Sequence, residues 1–461
     1  MLSESRLHQW RRTHKTVADT GRLGIRLAQR QYLLTCEAAS RRRVVVTGYG
    51  MITALGENAE TTFNRAAQSK SGVAEIQSFD TRGLTCRIGG EVDDSWINAP
   101  LAHGGNVSPS RGSMLMQTAA REAESMARLD QVRNRDRVGT ILGSHGQNPA
   151  VEQLALLHHH GDSETRESDG LSHVPGYDLG QFFRRRPDVA TGDLARQLGN
   201  RGPCLSIVSA CSAGAQAIGE GVRLIREGHS DVVVAGGCDS TINFVGMVGF
   251  TLLRVLAERW STPEAASRPF DRKRCGFVMS EGAGVVVLEE YEHAMARRAD
   301  VRGEIFGYGA SADAHRITDA RPDGQGAALA MRTCLEDAAV EAAAIEAISA
   351  HATSTVQGDI AECRAIEQVF GSRAPSIPIS APKSMLGHTI AAAGAIELIL
   401  ALMGMERSIL LPTINQQSRD KRCALDTVPN EARHQVHRLA ISNSFGFGGQ
   451  NACLCIGLID A

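Results

Sequence analysis

The sequence has few aromatic side chains, almost no net charge and no long apolar run. Aromatic residues make up 4% of the 461 positions, and the formal net charge is -2 at pH 7. Such a chain has neither the basic surface nor the stacking side chains typical of nucleic-acid-binding proteins. No stretch reaches the roughly 18 consecutive apolar residues that a membrane-spanning helix needs. The composition therefore argues against a nucleic-acid partner and against a membrane span, and leaves small or acidic partners open.

The eleven cysteines show no framework of paired spacings. Cys453 and Cys455 are two residues apart in a strand-like run, where they would share one face side by side. Neither a disulfide framework nor a zinc site is favoured by this arrangement. The cysteine usage predicts a reducing compartment, and we expect a cytoplasmic protein without a metal.

The first 40 residues carry six arginines and three acidic residues. This composition fits an amphipathic transit peptide, which would place the protein in a mitochondrion or plastid. It fits equally an N-terminal extension, or a misplaced start, on a bacterial protein. Under either interpretation, residues 1–40 are separate from the fold, which we expect to begin near Arg41.

What the chain does have is apolar content for a large core, 43% of all residues, arranged in alternating strands and helices. The segments "RRRVVVTGYGMITALG" and "DVRGEIFGYGASADAH" both predict a strand running into a Gly-Tyr-Gly turn, which suggests a duplicated domain. Gly307, Gly309 and Ala312 also fit a relaxed dinucleotide-binding pattern. Because no acidic ribose partner follows at a suitable distance, we discard nucleotide binding.

Short β-branched runs repeatedly precede helices. "LSIVSA" precedes a predicted helix at about 212–227, and "DVVVAGG" then predicts the next parallel strand of a βαβ unit. In the second half "AISAH" precedes a helix at about 359–370, "SIPIS" precedes "APKSMLGH" and a helix from about 389, and "LAISN" precedes "SFGFGGQN" and the strand "ACLCIGL". Ligands of parallel sheets gather at the carboxyl ends of strands, so these loops are expected to converge on one cleft.

The least patterned region is 147–188, which predicts a solvated loop inserted before the strand that leads to Cys211. It contains three consecutive histidines, His158 to His160. Adjacent side chains point apart and no cysteine lies at ligand spacing, so the histidines do not predict a metal site.

Cys211 lies where "LSIVSA" changes from strand to helix. At a helix N-terminus, the unpaired N–H groups and the positive end of the dipole favour a thiolate, which would make Cys211 a nucleophile. The small residues around it leave room for a substrate. A packed core cysteine is the competing interpretation.

Two histidines follow strands in the second half: His351 in "SAHATSTVQGD" and His388 in "KSMLGHTIAAAGA". Either one by itself is more typical of a structural histidine. Together with Cys211 they suggest a Cys-His-His site in which a neutral imidazole N–H holds negative charge developing on an oxygen. That arrangement suits enolate chemistry at a thioester.

The glycine-rich "NSFGFGGQN" could place a backbone N–H against an oxyanion. Gly446 and Gly448 would allow Phe447 between them to move. A purely structural turn remains an alternative for this segment.

With these motifs the chain resembles a β-ketoacyl-acyl carrier protein synthase of the elongating KAS I/II type, in the thiolase superfamily. The resemblance covers about 41–458 and is carried by "RRVVVTGYGMITALG", "VSACSAGA", "DVVVAGGCDS", "SRPFDRKRCGFVMSEGAGVVVLEE", "AHATSTVQGD", "KSMLGHTIAAAGAIE" and "NSFGFGGQNACL". It implies a duplicated α/β fold in five layers, α-β-α-β-α, with one half at 41–295 and the other at 296–461. It also implies a homodimer that uses acyl carrier protein and needs no cofactor.

The resemblance implies a decarboxylative Claisen condensation in fatty acid elongation. Cys211 would hold the acyl chain, the N–H groups of Cys211 and Phe447 would form the oxyanion hole, and His351 and His388 would stabilise the enolate. Lys383 and Glu362 match a supporting pair of the family. The other positions carried over are the substrate-binding Thr353, Thr355, Phe277, Phe250, Thr318 and Phe445, and the supporting Asn443 and Gly446.

Three departures from the family pattern affect the site or the docking of the carrier. Ala352 replaces a usual glycine and Gln450 a usual threonine, while segment 108–120 is poor in basic residues for a surface that binds an acidic carrier. Arg254 is retained, and the cluster Arg184 to Arg186 could compensate, although adjacent arginines are typical of any solvated face. Two alternatives stay open: the same chemistry in a polyketide or specialised lipid pathway, and a non-condensing partner subunit.

Overall fold

A computed structural model describes residues 41–97, 109–146, 185–258, 260 and 262–459. Contacts divide the chain into the units Met1–Arg41 and Arg42–Ala461, and the described residues belong almost entirely to the second. The N-terminal extension, most of the predicted loop 147–188 with its three histidines, and Arg184 lie outside the described residues. No helix in the described ranges is long and apolar enough to cross a membrane.

The described strands and helices alternate along the chain. The strands are β1 Val44–Thr53, β2 Ala74–Glu75, β3 Ile88–Gly89, β4 Val138–Gly143, β5 Cys204–Ile207, β6 Val232–Asp239, β7 Gly282–Glu290, β8 Gly303–Ala312, β9 Ala347–Ser349, β10 Ile379–Ser380, β11 Ile409–Leu410, β12 Arg433–His434, β13 Leu439–Gly446 and β14 Gln450–Gly457. The α-helices are α1 Ala59–Ala67, α2 Arg111–Ala127, α3 Pro187–Leu198, α4 Ala213–Arg226, α5 Phe244–Leu252, α6 Tyr291–Ala296, α7 Gln325–Ala338, α8 Val356–Phe370, α9 Lys383–Leu386 and α10 Ala393–Arg407.

Ten of the strands form two equivalent sets of five. The order is β10-β9-β13-β14-β8 in one set and β5-β4-β6-β7-β1 in the other, and the two sets meet at a short antiparallel pairing of β1 with β8. If the five strands of each set are numbered by their order along the chain, their order across the set is third, second, fourth, fifth and first. Each set has two parallel pairings followed by two antiparallel ones. The predicted duplication is confirmed.

The predicted five layers are also confirmed, and β7 shows how they arise. Val286 and Leu288 face a core that includes α4 and α10, whereas Val285 and Val287 face a second core with α2 and α3. A third core joins α7 and α8 to the other set of strands. Because side chains of a strand alternate between its faces, a strand covered on both sides is apolar throughout. That covering is the reason for the continuous run "GVVVL".

The prediction that the two Gly-Tyr-Gly segments are turns is wrong. They are parts of the strands β1 and β8. A Cβ at Gly48 would lie 2.4 Å from the carbonyl oxygen of Ala123 in α2, and one at Gly309 would lie 2.2 Å from that of Ala330 in α7. The glycines therefore let an outer helix approach each strand closely. Both halves use the same device, which explains why the pattern repeats.

The predicted βαβ unit is parallel but not adjacent. β5 and β6 both pair in parallel with β4, which lies between them. The three predicted helices correspond to α4, α8 and α10. A 3₁₀ turn directly precedes α4 and α10. The carboxyl ends of β5, β4 and β6 consequently lie side by side at one edge of the sheet.

Candidate active site

Cys211 is held in a sharp turn between β5 and α4. The turn, Ala210–Ser212, begins at Ala210 with a left-handed φ of 48°, and the Ser212 hydroxyl donates to the carbonyl of Ser209 at 2.7 Å. The equivalent turn of the other half begins at Ile390 with a φ of 44°. A left-handed residue reverses the chain abruptly, so Cys211 lies at the amino end of α4 and is only 4% exposed.

Burial raises the pKa of the Cys211 thiol to about 11. The backbone N–H of Phe447, the charge of Lys383 and the N–H of Cys211 itself oppose this shift but do not outweigh it. The prediction that the helix terminus makes Cys211 a thiolate is therefore wrong for the resting protein. Loss of hydration destabilises the thiolate more than the helix dipole stabilises it. The sulfur holds its proton at neutral pH and must release it during reaction.

His351 and His388 converge on Cys211, as the sequence predicts. Their ligand atoms and the cysteine sulfur all lie within 4.8 Å of one another, and the two rings meet edge to face at 5.5 Å between centroids. All three side chains are buried. Within the described ranges no other trio of His, Cys, Asp or Glu has a spacing that would suit a metal ion.

Both imidazoles are neutral in this environment. Burial, followed by the positive charge of Lys383, holds the pKa of His351 and of His388 well below 6.5. A neutral imidazole donates one N–H without bringing a full positive charge. The pair can therefore stabilise charge that develops on a substrate oxygen without first pairing with the thiol.

Glu362 holds the backbone at His351. Its carboxylate accepts the N–H of His351 at 2.9 Å, the N–H of Ala352 at 2.7 Å and the amide of Asn443 at 3.1 Å. Ala352 has a positive φ of 24°. Alanine adopts such a backbone conformation at an energetic cost, whereas glycine adopts it without that cost. The departure noted at Ala352 thus falls at a residue with a positive φ.

Lys383 forms an ion pair with an acid that was not predicted. Its ammonium lies 2.5 Å from the carboxylate of Glu397 in α10, and both side chains are 2% exposed. Burial raises the pKa of Glu397 to about 7 although Lys383 opposes the shift. Glu397 was missed, and the signal for it was a single acid in the apolar helix "AGAIELILALMGM".

Replacing Glu397 with alanine should destabilise the fold by about 3 kcal/mol, because it leaves the Lys383 charge buried without a partner. Urea unfolding would measure the loss. The exposed Glu367→Ala in α8 is the matched control and should cost a small fraction of that. The double variant Lys383→Met with Glu397→Leu should recover much of the loss, and an equal loss in the Glu367 control would contradict the pairing.

One cavity of about 270 Å³ opens onto the three reactive side chains. Most of the predicted site residues line it, and Lys383, Asn443 and Phe250 do not. Phe250 packs edge-on against Phe277 at 5.7 Å between centroids. The predicted residues that do line it are Cys211, Phe277, Thr318, His351, Thr353, Thr355, Glu362, His388, Phe445, Gly446 and Phe447.

The loop from β8 to α7 supplies a wall of the cavity that sequence reasoning largely missed. Ile317, Asp319 and Arg321 line the cavity beside the predicted Thr318. Ile317 is 81% exposed. Apart from Thr318, no residue of this loop was predicted, and its place at the cavity follows from where β8 ends.

The segment after β13 closes the cavity near the sulfur. A Cβ at Gly446 would lie 2.8 Å from the carbonyl oxygen of Ser209 and 3.2 Å from the nitrogen of Cys211, so the absence of a side chain lets the two loops touch. Gly448 and Gly449 have positive φ angles of 82° and 73°. The turn places the N–H of Phe447 toward the sulfur, where it favours the anion.

Comparison with known proteins matches two family descriptions. "Beta-ketoacyl synthase, N-terminal domain" matches residues 41–294, and "Beta-ketoacyl synthase, C-terminal domain" matches 302–417. "3-oxoacyl-[acyl-carrier-protein] synthase 2" of Staphylococcus aureus (strain COL) is 36% identical over 424 residues, which is 92% of this chain and 100% of the relative.

Two solved structures share the fold closely. "The ishigamide ketosynthase/chain length factor" has a TM-score of 0.80 and 33% identity, covering 91% of this chain and 100% of that one. "AntDE:AntF (apo): type II PKS acyl-carrier protein in complex with its ketosynthase bound to the hexaketide" has a TM-score of 0.80 and 30% identity over the same shares.

Proposed function

This chain belongs to the β-ketoacyl synthase family, and from that premise we propose that it extends an acyl chain held on Cys211 by condensation with malonyl-acyl carrier protein. The product is a 3-oxoacyl-carrier protein, as in fatty acid elongation. The observation that carries the proposal is the meeting of one thiol and two neutral imidazoles in a single buried cavity.

The first step is transfer of the acyl group. Cys211 loses its proton as its sulfur attacks the thioester carbonyl of the acyl-carrier protein, and the carrier sulfur leaves with a proton. Negative charge on the carbonyl oxygen is held by the N–H groups of Cys211 and Phe447, which already favour an anion at this position. A covalent acyl-Cys211 thioester results.

The second step joins the chains. The malonyl carboxylate leaves as carbon dioxide, and the electron pair of the broken C–C bond forms an enolate. The enolate oxygen accepts hydrogen bonds from the N–H groups of His351 and His388. The enolate carbon attacks the thioester carbonyl on Cys211, the C–S bond breaks, and the released sulfur takes up a proton from solvent. The electrons balance without a metal or an organic cofactor.

The carrier arm is proposed to enter along the polar wall of the cavity. Thr353 and Thr355 present hydroxyls 3.1 Å apart there, suited to the amides of a pantetheine arm. At the mouth Arg254 is exposed and has no ion-pair partner among the described residues. Two other basic candidates are already paired, Arg111 with Glu281 and Asp94, and Arg186 with Asp188. Arg254 is therefore the proposed contact with an acidic carrier protein.

Incubation with acyl- and malonyl-carrier protein, read by product mass, tests the function. A carrier-bound product two carbons longer, with release of carbon dioxide, is expected. No product, with intact carrier proteins, would favour the alternative of a non-condensing partner subunit.

A specialised pathway is the second candidate function, because the neighbouring structures include ketosynthases described with a hexaketide and with a chain length factor. A panel of acyl-carrier proteins separates the two candidates. Loading of saturated chains of increasing length onto Cys211 supports fatty acid elongation, whereas preference for polyketide chains supports the specialised pathway.

We also propose two family halves, 41–295 and 296–461, with the boundary between β7 and β8. A cytoplasmic location is proposed, with a mitochondrion or plastid as the alternative if residues 1–40 are a transit peptide. The ten described cysteines are all unpaired, which supports a reducing compartment.

A homodimer is proposed through the edge strand β5. This strand ends the ten-stranded order. Leu205 within it and Val208 directly after it are 38% and 55% exposed. An apolar sheet edge is open to pairing with another strand. The same element leads directly to Cys211, so the interface would lie close to the site.

Light scattering tests the dimer. The double variant Leu205→Glu with Val208→Glu should run at half the mass of the unchanged protein, because four charges would face one another across a two-fold axis. Val436→Glu, at a site 73% exposed elsewhere, should leave the mass unchanged. A monomeric unchanged protein would refute the homodimer.

A further inference from the structure

A histidine–acid pair that takes no part in the proposed steps lies beside the site. His145 Nδ1 lies 2.8 Å from Asp239 Oδ2. The carboxylate of Asp239 is completely buried and His145 is 28% exposed. The hydroxyl of Thr241 also donates to Asp239.

The fold places this pair next to the reactive residues. His145 follows the carboxyl end of β4, Asp239 ends β6, and Cys211 follows β5. β4 pairs in parallel with both of the other strands, so their carboxyl ends are neighbours. His388 is brought to the same edge by the bridge between it and Met279, three residues before β7.

We infer that His145 and Asp239 form an ion pair that sets the net charge beside Cys211 and His388, which makes both of them positioning residues for the reaction. With His145 protonated the pair is neutral overall. With His145 deprotonated, a buried negative charge faces a site where a thiolate and then an enolate must form. This inference deepens the proposed function and rests on it.

The directions of the electrostatic effects agree with this geometry. Burial lowers the pKa of His145, but the hydrogen bond and charge of Asp239 outweigh burial and raise the pKa above 6.5. The charge of Asp239 adds to the burial that raises the pKa of Cys211. His145, after burial and Lys383, contributes to the low pKa of His388.

Other charged groups near the pair can be named among the residues that the structure describes. The positive charge of Lys383 lowers the pKa of both Cys211 and His388. The thiol of Cys238 is held neutral because burial raises its pKa to about 12. The segment at 185–187 packs against Gly146 and carries Arg185 and Arg186, the second of which pairs with Asp188. On the neighbouring β7 side, Glu281 is bound by Arg111.

Two substitutions should move the reactivity of Cys211 in opposite directions. His145→Gln leaves Asp239 charged and uncompensated, so alkylation of Cys211 by iodoacetamide near pH 8 should slow by roughly threefold to tenfold. Asp239→Asn removes the negative charge, so alkylation should become faster by a similar factor. A role confined to packing would slow or speed both variants alike.

The matched control is another buried pair of the same chemistry. His293 Nδ1 lies 2.6 Å from Glu289 Oε1, near the opposite end of β7 from the site. His293→Gln should leave the alkylation rate of Cys211 unchanged. Thermal unfolding of each variant would confirm that the compared proteins are folded.

Rates are read for the Cys211 peptide alone by mass spectrometry, across pH 6 to 9, without any carrier protein. Because alkylation needs no condensation, its outcome is independent of whether the proposed function holds. The inference is overturned if the two variants shift the rate in the same direction, or if neither differs from the His293→Gln control.

Discussion

The Cys211→Ala variant should form no covalent acyl adduct, and its condensation rate should fall by about 10⁴-fold or more. The physical reason is that the acyl chain must reside on an atom inside the cavity while the second substrate binds, and the structure offers the Cys211 sulfur between two imidazoles for that purpose. Intact-protein mass spectrometry after incubation with acyl-carrier protein checks the adduct, and product formation checks the rate.

A suitable control is Cys86→Ala, which removes another buried thiol from the same apolar cluster as Cys211. It should cost stability in a similar way but keep the adduct. A persistent acyl adduct on Cys211→Ala, or its loss from Cys86→Ala, would refute the assignment of the nucleophile.

His388→Ala should still accept an acyl chain on Cys211 within about tenfold of the normal rate, whereas condensation should fall by about 10²- to 10³-fold, the usual cost of removing one donor from an oxyanion site. The enolate oxygen would lose one of its two N–H donors, while acylation relies on the backbone N–H groups of Cys211 and Phe447. Single-turnover acylation and carbon dioxide release from malonyl-carrier protein measure the two steps separately.

Two further variants sharpen this test. His388→Asn keeps an N–H donor and should restore part of the decarboxylation. His437→Ala removes a histidine that is equally buried, 3% exposed, but lies away from the cavity, and it should affect both steps little. Equal loss of acylation and decarboxylation in His388→Ala would contradict the division of labour.

Several features of the site were readable from short segments. Cys211, His351 and His388 each follow a β-branched run, and the rule that chemistry gathers at the carboxyl ends of parallel strands was enough to predict their meeting. The repeated Gly-Tyr-Gly segment signalled the duplication. Its interpretation as a turn failed because these glycines make room for a helix from elsewhere in the chain, at Ala123 for Gly48 and at Ala330 for Gly309.

Charge states and partners were beyond the reach of local reasoning. The dipole at α4 predicted a thiolate at Cys211, but burial by several distant segments raises the pKa to about 11. The partner of Lys383 was not predicted: the fold turns Glu397 toward its ammonium, whereas Glu362 accepts backbone N–H groups at His351.

The sequence by itself determined which groups are proposed to react, the alternation of strands and helices, and the presence of two similar halves, since these depend on residue types and on their spacing within short segments. The tertiary structure decided which buried charges face one another, how far water is excluded from Cys211, and that His145 meets Asp239. Those quantities depend on distances between segments far apart in sequence, and electrostatic energies in a dry interior change steeply with such distances.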